Sequence, residues 1–304
     1  MGRDRRKAGG WAWLLGVPAL LWPVWALALD VSVLQSRDGG VQERFVEALR
    51  AELKPDVHLV HAGQSEYPDL LRLEQGALIV AVGAPAARQA LEHAKRPVLA
   101  VMLSSASAHE LRERFPEGRF TAIVLDQPPR RQLALVRELL PQARAVGVLL
   151  GPQTRPMREG FERSSSELGL ELHFDEASDA RGVVPALDRL LSRSDSILTV
   201  PDPQVFNAQT ARSLLLTAYR AGRPLFAYSA AAVEAGALAA VFSAPEDIAR
   251  QAAEWLEHPV ADDLPQDATP RYYRLAINAQ VARSLGIAVP DERRILQALR
   301  ERGV

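Results

Sequence analysis

The feature that most constrains this chain is an alternation of short apolar runs with helical patterns, which starts at Val31, pauses at Pro141 and then starts again. Residues 31–34 read as a strand, and Val41, Phe45, Leu49 and Leu53 recur at four-residue spacing as one face of a helix. Residues 57–60, 77–82 and 98–103 continue the series, the last followed by a short helix that a Ser107 and Glu110 capping box opens. Residues 120–125 form the fifth run, and Leu133, Val136 and Leu140 mark a helix stopped by Pro141. Beyond it, residues 146–150, 170–174, 197–200, 225–228 and 238–242 read as strands. Helices carry Met157, Phe161 and Leu168, then Ala208, Ala211, Leu215 and Ala218 between Asn207 and Gly222. A second capping box, Ser243 with Glu246, opens a helix that turns Ile248, Ala252 and Trp255 inward. The runs are β-branched and apolar on both faces, as parallel strands covered by helices on each side must be. The pattern predicts an α/β protein of two Rossmann-like lobes with parallel sheets. Residues 29–143, rejoined by 243–304, form the first lobe, and residues 144–242 the second.

The first residues are of another kind. Arg3, Arg5, Arg6 and Lys7 precede an apolar run over 11–29 that ends on Ala26-Leu27-Ala28, the small-residue pattern accepted by signal peptidase. Pro18 and Pro23 interrupt the run, so residues 1–28 are expected to be a cleaved leader rather than an anchor. Sec export is the default, with Arg5-Arg6 permitting a twin-arginine route. The chain has no cysteine, which excludes a lipidated start, disulfides and thiolate metal sites. A periplasmic location follows as the expectation. The 36 basic and 37 acidic side chains form no one-signed block, which argues against a nucleic-acid partner.

Several segments together resemble a known family. They are residues 83–91 after the third strand, 139–149 around Pro141, 233–241, and the tail from Ile277-Asn278 through 282–290. In order and spacing they are similar to the substrate-binding proteins of ABC transporters in the tryptophan-binding-protein-like group. The resemblance implies a type I periplasmic-binding-protein fold, a cleft closed by hinge motion, no catalysis, no cofactor, and a small-molecule ligand such as an amino acid. It implies an ABC permease, or a membrane sensor, as partner. Two departures stand out: Leu150-Gly151 where the family usually has an aromatic and Asn, and Ser105-Ala106 where it usually has Asp-Pro.

Ligands of open parallel sheets bind at the carboxyl ends of the strands, where helix N-termini present free N–H groups. The candidate lining is therefore 36–38, 83–85 and 104–107 in the first lobe, and 151–154, 202–207 and 229–232 in the second. Within these, Ser36, Gly83, Ser104, Ser105, Asp202, Asn207 and Ser229 are singled out: glycine admits close backbone approach, hydroxyls donate or accept, and Asp202 suits an amine or hydroxyl. The family pattern implies contacts around Ala84, Ser104, Asp202 and Ser229. Each has a plainer reading, since serine at a strand–helix junction commonly caps the helix and Asp between prolines shapes a turn. His58 and His61 have no third ligand near them, so no metal site is expected. Tyr272-Tyr273 is expected to pack in a strand. No Gly-x-Ser-x-Gly elbow, Walker motif or dinucleotide glycine pattern points to an enzyme. A sensing module for a signalling protein remains the alternative to uptake, with an exported α/β enzyme behind it.

Overall fold

The computed structural model describes residues 29–36, 39–64, 70–257 and 267–304, and the expected leader lies outside them. The first series of units forms β1 (Leu29–Gln35), α1 (Gly39–Glu52), β2 (Val57–Gln64), α2 (Leu70–Leu73), β3 (Leu78–Val82), α3 (Ala84–His93), β4 (Val98–Leu103), α4 (Ser105–Arg114) and β5 (Phe120–Val124). Its strands lie in the order β2-β1-β3-β4-β5, every pair parallel. β3 is buried along its whole length, which explains why its sequence, LIVAV, lacks the polar alternation of a half-exposed strand. Val31, Val33, Val80 and Leu99 face one layer. Leu34, Ile79 and Ala100 face the other, where Ala86, Ala87 and Ala90 let α3 sit close to the sheet.

The second series runs through α5 (Pro129–Leu139), β6 (Ala145–Leu150), a 3-10 turn (Arg155–Met157), α6 (Arg158–Leu168), β7 (Glu171–Glu176), α7 (Ala180–Leu191), β8 (Ser196–Thr199), α8 (Ala211–Arg220), β9 (Leu225–Ala227), α9 (Ala230–Glu234) and β10 (Ala239–Phe242). Then come α10 (Pro245–Leu256), β11 (Arg274–Ile277), α11 (Ala279–Ser284) and α12 (Glu292–Glu301). The second sheet has the order β11-β10-β9-β8-β6-β7. It is parallel apart from β11, which runs antiparallel along the edge of β10. Two separate sheets of this kind make the two-lobe α/β architecture.

Several details differ from the sequence-based expectation. The chain changes sheets earlier than Ala143: Leu133, Val136 and Leu139 of α5 pack with Val146, Val148 and Val241 of the second sheet. Ile248, Ala249 and Ala252 of α10 pack against the first sheet, whereas Leu275, Ile295 and Leu299 of the tail return to the second. An apolar helical face shows that a helix is covered but not by which sheet. α4 is capped by Ser104, not Ser107: the Ser104 hydroxyl accepts from the Ser107 amide at 3.1 Å. α10 begins at Pro245 with the Asp247 carboxylate accepting from the Ala244 amide at 2.9 Å. Ser243 is freed to bond elsewhere. Tyr272 and Tyr273 precede β11 rather than lying in it.

Three crossings join the halves, and all run at the carboxyl ends of strands. The first leaves the end of β5 over 125–128, and the second leaves the end of β10 at Ser243 and Ala244. The third passes from Ala268, which bridges Ile123 in parallel, into β11, where Arg274 pairs with Phe242 at the end of β10. The Gln127 amide donates to the Ser243 hydroxyl at 2.9 Å, and that hydroxyl donates to the Tyr272 carbonyl at 2.5 Å. The segments that leave the carboxyl ends of β5 and β10 and the one that enters β11 are therefore bonded together at one place.

Candidate ligand-binding site

At the exits of the first sheet most candidate polar groups are already engaged. Ser36 is buried; its hydroxyl donates to the Val82 carbonyl at 3.2 Å and accepts from the Ala86 amide at the same distance, fixing the start of α3. Gly83 has φ +92°, where a side chain would be strained, and an added Cβ would stand 2.9 Å from the Ser36 hydroxyl. Ala84 follows half-buried as the first helical residue. Ser104 is the α4 cap, and Ser105 is exposed. Arg37 and Asp38 lie outside the described residues.

The Ser105 amide donates to Asp126 Oδ2 at 2.6 Å. Asp126 is buried just beyond β5, and that burial holds its carboxyl above the ordinary carboxylate range, against the lowering effect of the Ser105 amide. Sequence reasoning missed it because 21 residues separate acid and amide. The available signal was an acid directly after a strand, the position Asp202 also occupies. Met102 adds a second unforeseen feature, a left-handed backbone at φ +58° where the β4–β5 register slips between Val101 and Leu103. This kink sets the direction in which the chain leaves the sheet for Ser104.

Polar atoms that remain unpaired also lie at this edge. Gln35 ends β1 and Gln42 stands in the first turns of α1, and among the described residues the buried carbonyl oxygen of each side chain has no partner. The Gln42 amide nitrogen lies 3.1 Å from where a Cβ on Gly83 would stand, which places this side chain against the α3 entrance. An unpaired buried acceptor carries a desolvation cost that a hydrogen-bond donor on a ligand would remove.

The exits of the second sheet are closed upon themselves. Asp202 is 1% exposed, and its Oδ2 accepts from the Gln153 amide at 3.0 Å, the Thr154 amide at 3.2 Å and the Thr154 hydroxyl at 3.1 Å. Its Oδ1 accepts from the Gln204 amide at 3.0 Å. The carboxylate therefore ties loop 151–154 to its own loop and does not stand free for an amine. The Gly151 departure has its cause here, since a Cβ on Gly151 would stand 2.5 Å from the Asp202 carboxyl. Asn207 folds back in the same way, its Oδ1 accepting from the Gln209 and Thr210 amides and its Nδ2 donating to the Pro203 carbonyl at 2.8 Å. Ser229 caps α9 by accepting from the Ala232 amide at 3.2 Å. Tyr228 meets Phe206 edge to face at 5.6 Å, and burial followed by the nearby Asp202 charge raises its phenol pKa.

Two surface grooves, each of about 470 Å³, lie away from these exits. One precedes the starts of β6, β8 and β9, between Pro141, Asp195, Pro224 and Ile287; the other follows Leu215, Leu216 and Tyr219 along α8.

A family model described as ABC transporter substrate binding protein matches residues 67–298. No curated protein sequence matches the chain. Among solved structures, an ABC domain in complex with L-Trp from Streptococcus pneumonia is 18% identical with a TM-score of 0.59, covering 88% of this chain and 98% of its own. A conserved domain protein from Vibrio cholerae is 21% identical with a TM-score of 0.60, covering 89% and 98%. The ligand-free, open structure of a substrate binding protein with adhesive properties from Clostridium difficile is 18% identical with a TM-score of 0.65, covering 86% and 96%. At these identities the likeness shows a shared fold, the two-lobed type I periplasmic-binding-protein fold. The match over residues 67–298 goes further: this chain belongs to the ABC transporter substrate binding protein family and is a solute-binding protein.

Proposed function

We propose that the protein serves an ABC-type uptake system in the periplasm, holding a small solute between its halves and closing on it by rotation about the three crossings, without catalysis. The observation that carries this reading is the bonding of the three crossings to one another at Gln127, Ser243 and Tyr272, beside the carboxyl ends of β5 and β10. The proposed contacts are the backbone around Gly83, Ala84 and Ser105 with the Gln35 and Gln42 carbonyls on one side, and the loops at Gly151, Asn207 and Ser229 on the other. Asp202 and Ser36 act as positioning residues that hold these loops. An L-Trp complex among the solved structures of this fold makes amino acids the first solutes to try, with nucleosides, vitamins and sugars beside them.

A thermal-shift screen of the purified protein tests this reading. A solute at one hundred times its Kd adds about 2.7 kcal/mol to stability and raises the melting temperature visibly. Gln35→Leu and Gln42→Leu then abolish the shift for the solute found. A hit whose shift survives both substitutions, and that still binds with the halves held apart, would place the site elsewhere.

A further inference from the structure

We propose that Arg131 is the fastening that sets the resting angle between the halves, through neutral partners on the first and third crossings. It rests on the reading that the halves move about the crossings. Arg131 lies in the first turn of α5 and is 7% exposed. Its Nη1 donates to Gln127 Oε1 at 2.7 Å and to the Pro270 carbonyl at 2.8 Å, and its guanidinium sits 4.1 Å over the Tyr273 ring. Gln127 passes the connection to Ser243 on the second crossing. Tyr273 is itself tied to the chain's end, its hydroxyl donating to the Val304 carbonyl at 2.6 Å. Arg131 thus holds the first and third crossings directly and reaches the second through Gln127.

Among the described residues no carboxylate pairs with this guanidinium, and its Nε is buried without an acceptor. Burying a charge without a counter-ion is unfavourable, and an apolar side chain would fill the same volume more favourably. What an apolar residue could not do is hold Gln127, Pro270 and Tyr273 at once in a defined geometry. The choice of partners fits a joint that turns. A carboxylate would hold the cation through a stronger, charge-paired contact, whereas carbonyl oxygens and a ring face are weaker partners that a turn about the crossings can exchange. The neighbouring Gln132 side chain, whose amide donates to the Gln127 carbonyl at 2.9 Å, also keeps its own oxygen buried and unpaired. The network therefore holds one spare donor and one spare acceptor that a rotated arrangement can use.

Because the chain has no cysteine, His109→Cys on α4 and Glu159→Cys on α6 place one dye on each half of the full chain. Single-molecule energy transfer is recorded without solute, so the result does not depend on whether the proposed solute exists. Arg131→Met and Gln127→Leu are expected to shift or broaden the inter-half distance distribution. Arg131→Lys, which keeps the charge but loses the planar fork, is expected to do the same. Leu190→Val, a core change remote from the crossings, leaves the distribution unchanged. Distributions for Arg131→Met and Gln127→Leu that superpose on the parent's, in proteins that circular dichroism shows folded, would overturn the proposal. If Arg131→Met fails to fold, Gln127→Leu alone decides. A changed distribution in these variants, in a protein that responds to no solute, would leave the hinge inference standing and remove the uptake reading.

Discussion

At the exits of the second sheet Asp202 gathers hydrogen bonds from Gln153, Thr154 and Gln204, whereas at the exits of the first sheet Gln35 and Gln42 keep buried carbonyl oxygens that have no partner among the described residues. Both edges carry small polar residues and glycine, among them Ser36, Gly83, Ser104 and Asp126 in the first and Gly151, Asp202, Asn207 and Ser229 in the second. In one, the polar groups are consumed in holding loops; in the other, two side-chain acceptors have no partner among the described residues. The difference teaches that a polar residue at a strand exit announces a loop first and a binding contact second, and that only its partners decide. On the proposed reading, recognition would fall mainly to the first half and shape mainly to the second.

The largest expected effect lies in the second half. Asp202→Ala strands the Gln153, Thr154 and Gln204 amides and is expected to cost about 3–5 kcal/mol in denaturant unfolding. A loss below about 1 kcal/mol together with lost solute binding would return Asp202 to the ligand and reverse the comparison. Smaller effects are expected at the caps: Ser104→Ala and Ser229→Ala should each cost about 1 kcal/mol. Should Ser229→Ala leave stability untouched while abolishing binding, the second half recognises as well as shapes.

The smallest effect is a pH dependence carried by Asp126. Burial raises its pKa, so between the ordinary carboxylate range and that raised value the folded protein holds more protons than the unfolded chain. Its contribution to stability therefore falls as pH rises through this window. Asp175, lowered by its bond from Arg189, and Asp195, lowered by the Ala145 and Arg144 amides, act oppositely and lose their contributions as pH falls. Asp126→Asn keeps an acceptor for the Ser105 amide and should flatten only the first trend. An unchanged pH profile of unfolding in that variant would mean that Asp126 titrates normally.

Much of the fold was legible because strand and helix periodicities are local. The runs at 77–82 and 98–103 became β3 and β4, and the restart after Pro141 became the second sheet. What remained hidden depends on contacts distant in sequence. The face of α5 is apolar whichever sheet covers it, so its place in the second half could not be read. The helix at Ala180–Leu191, with Val183, Leu187 and Leu190 inward behind its Asp179 cap, is the exception, absent from the sequence-based expectation although its periodic signal is local. At the site, Ser36, Ser104, Asp202, Asn207 and Ser229 were found as residues but not as partners, because Asp202 meets Gln153 across 49 positions and Ser36 meets Ala86 across 50. The departure at Gly151 is explained only by its distant neighbour, since the Asp202 carboxyl fills the space a side chain there would need.

The central claim is that a solute binds between the halves and draws them together. Small-angle X-ray scattering of the protein with and without the solute found by thermal shift tests it most directly. The account predicts a smaller radius of gyration when solute is bound. An unchanged radius of gyration at saturation, with the solute located in the groove between Pro141, Asp195 and Ile287, would contradict it.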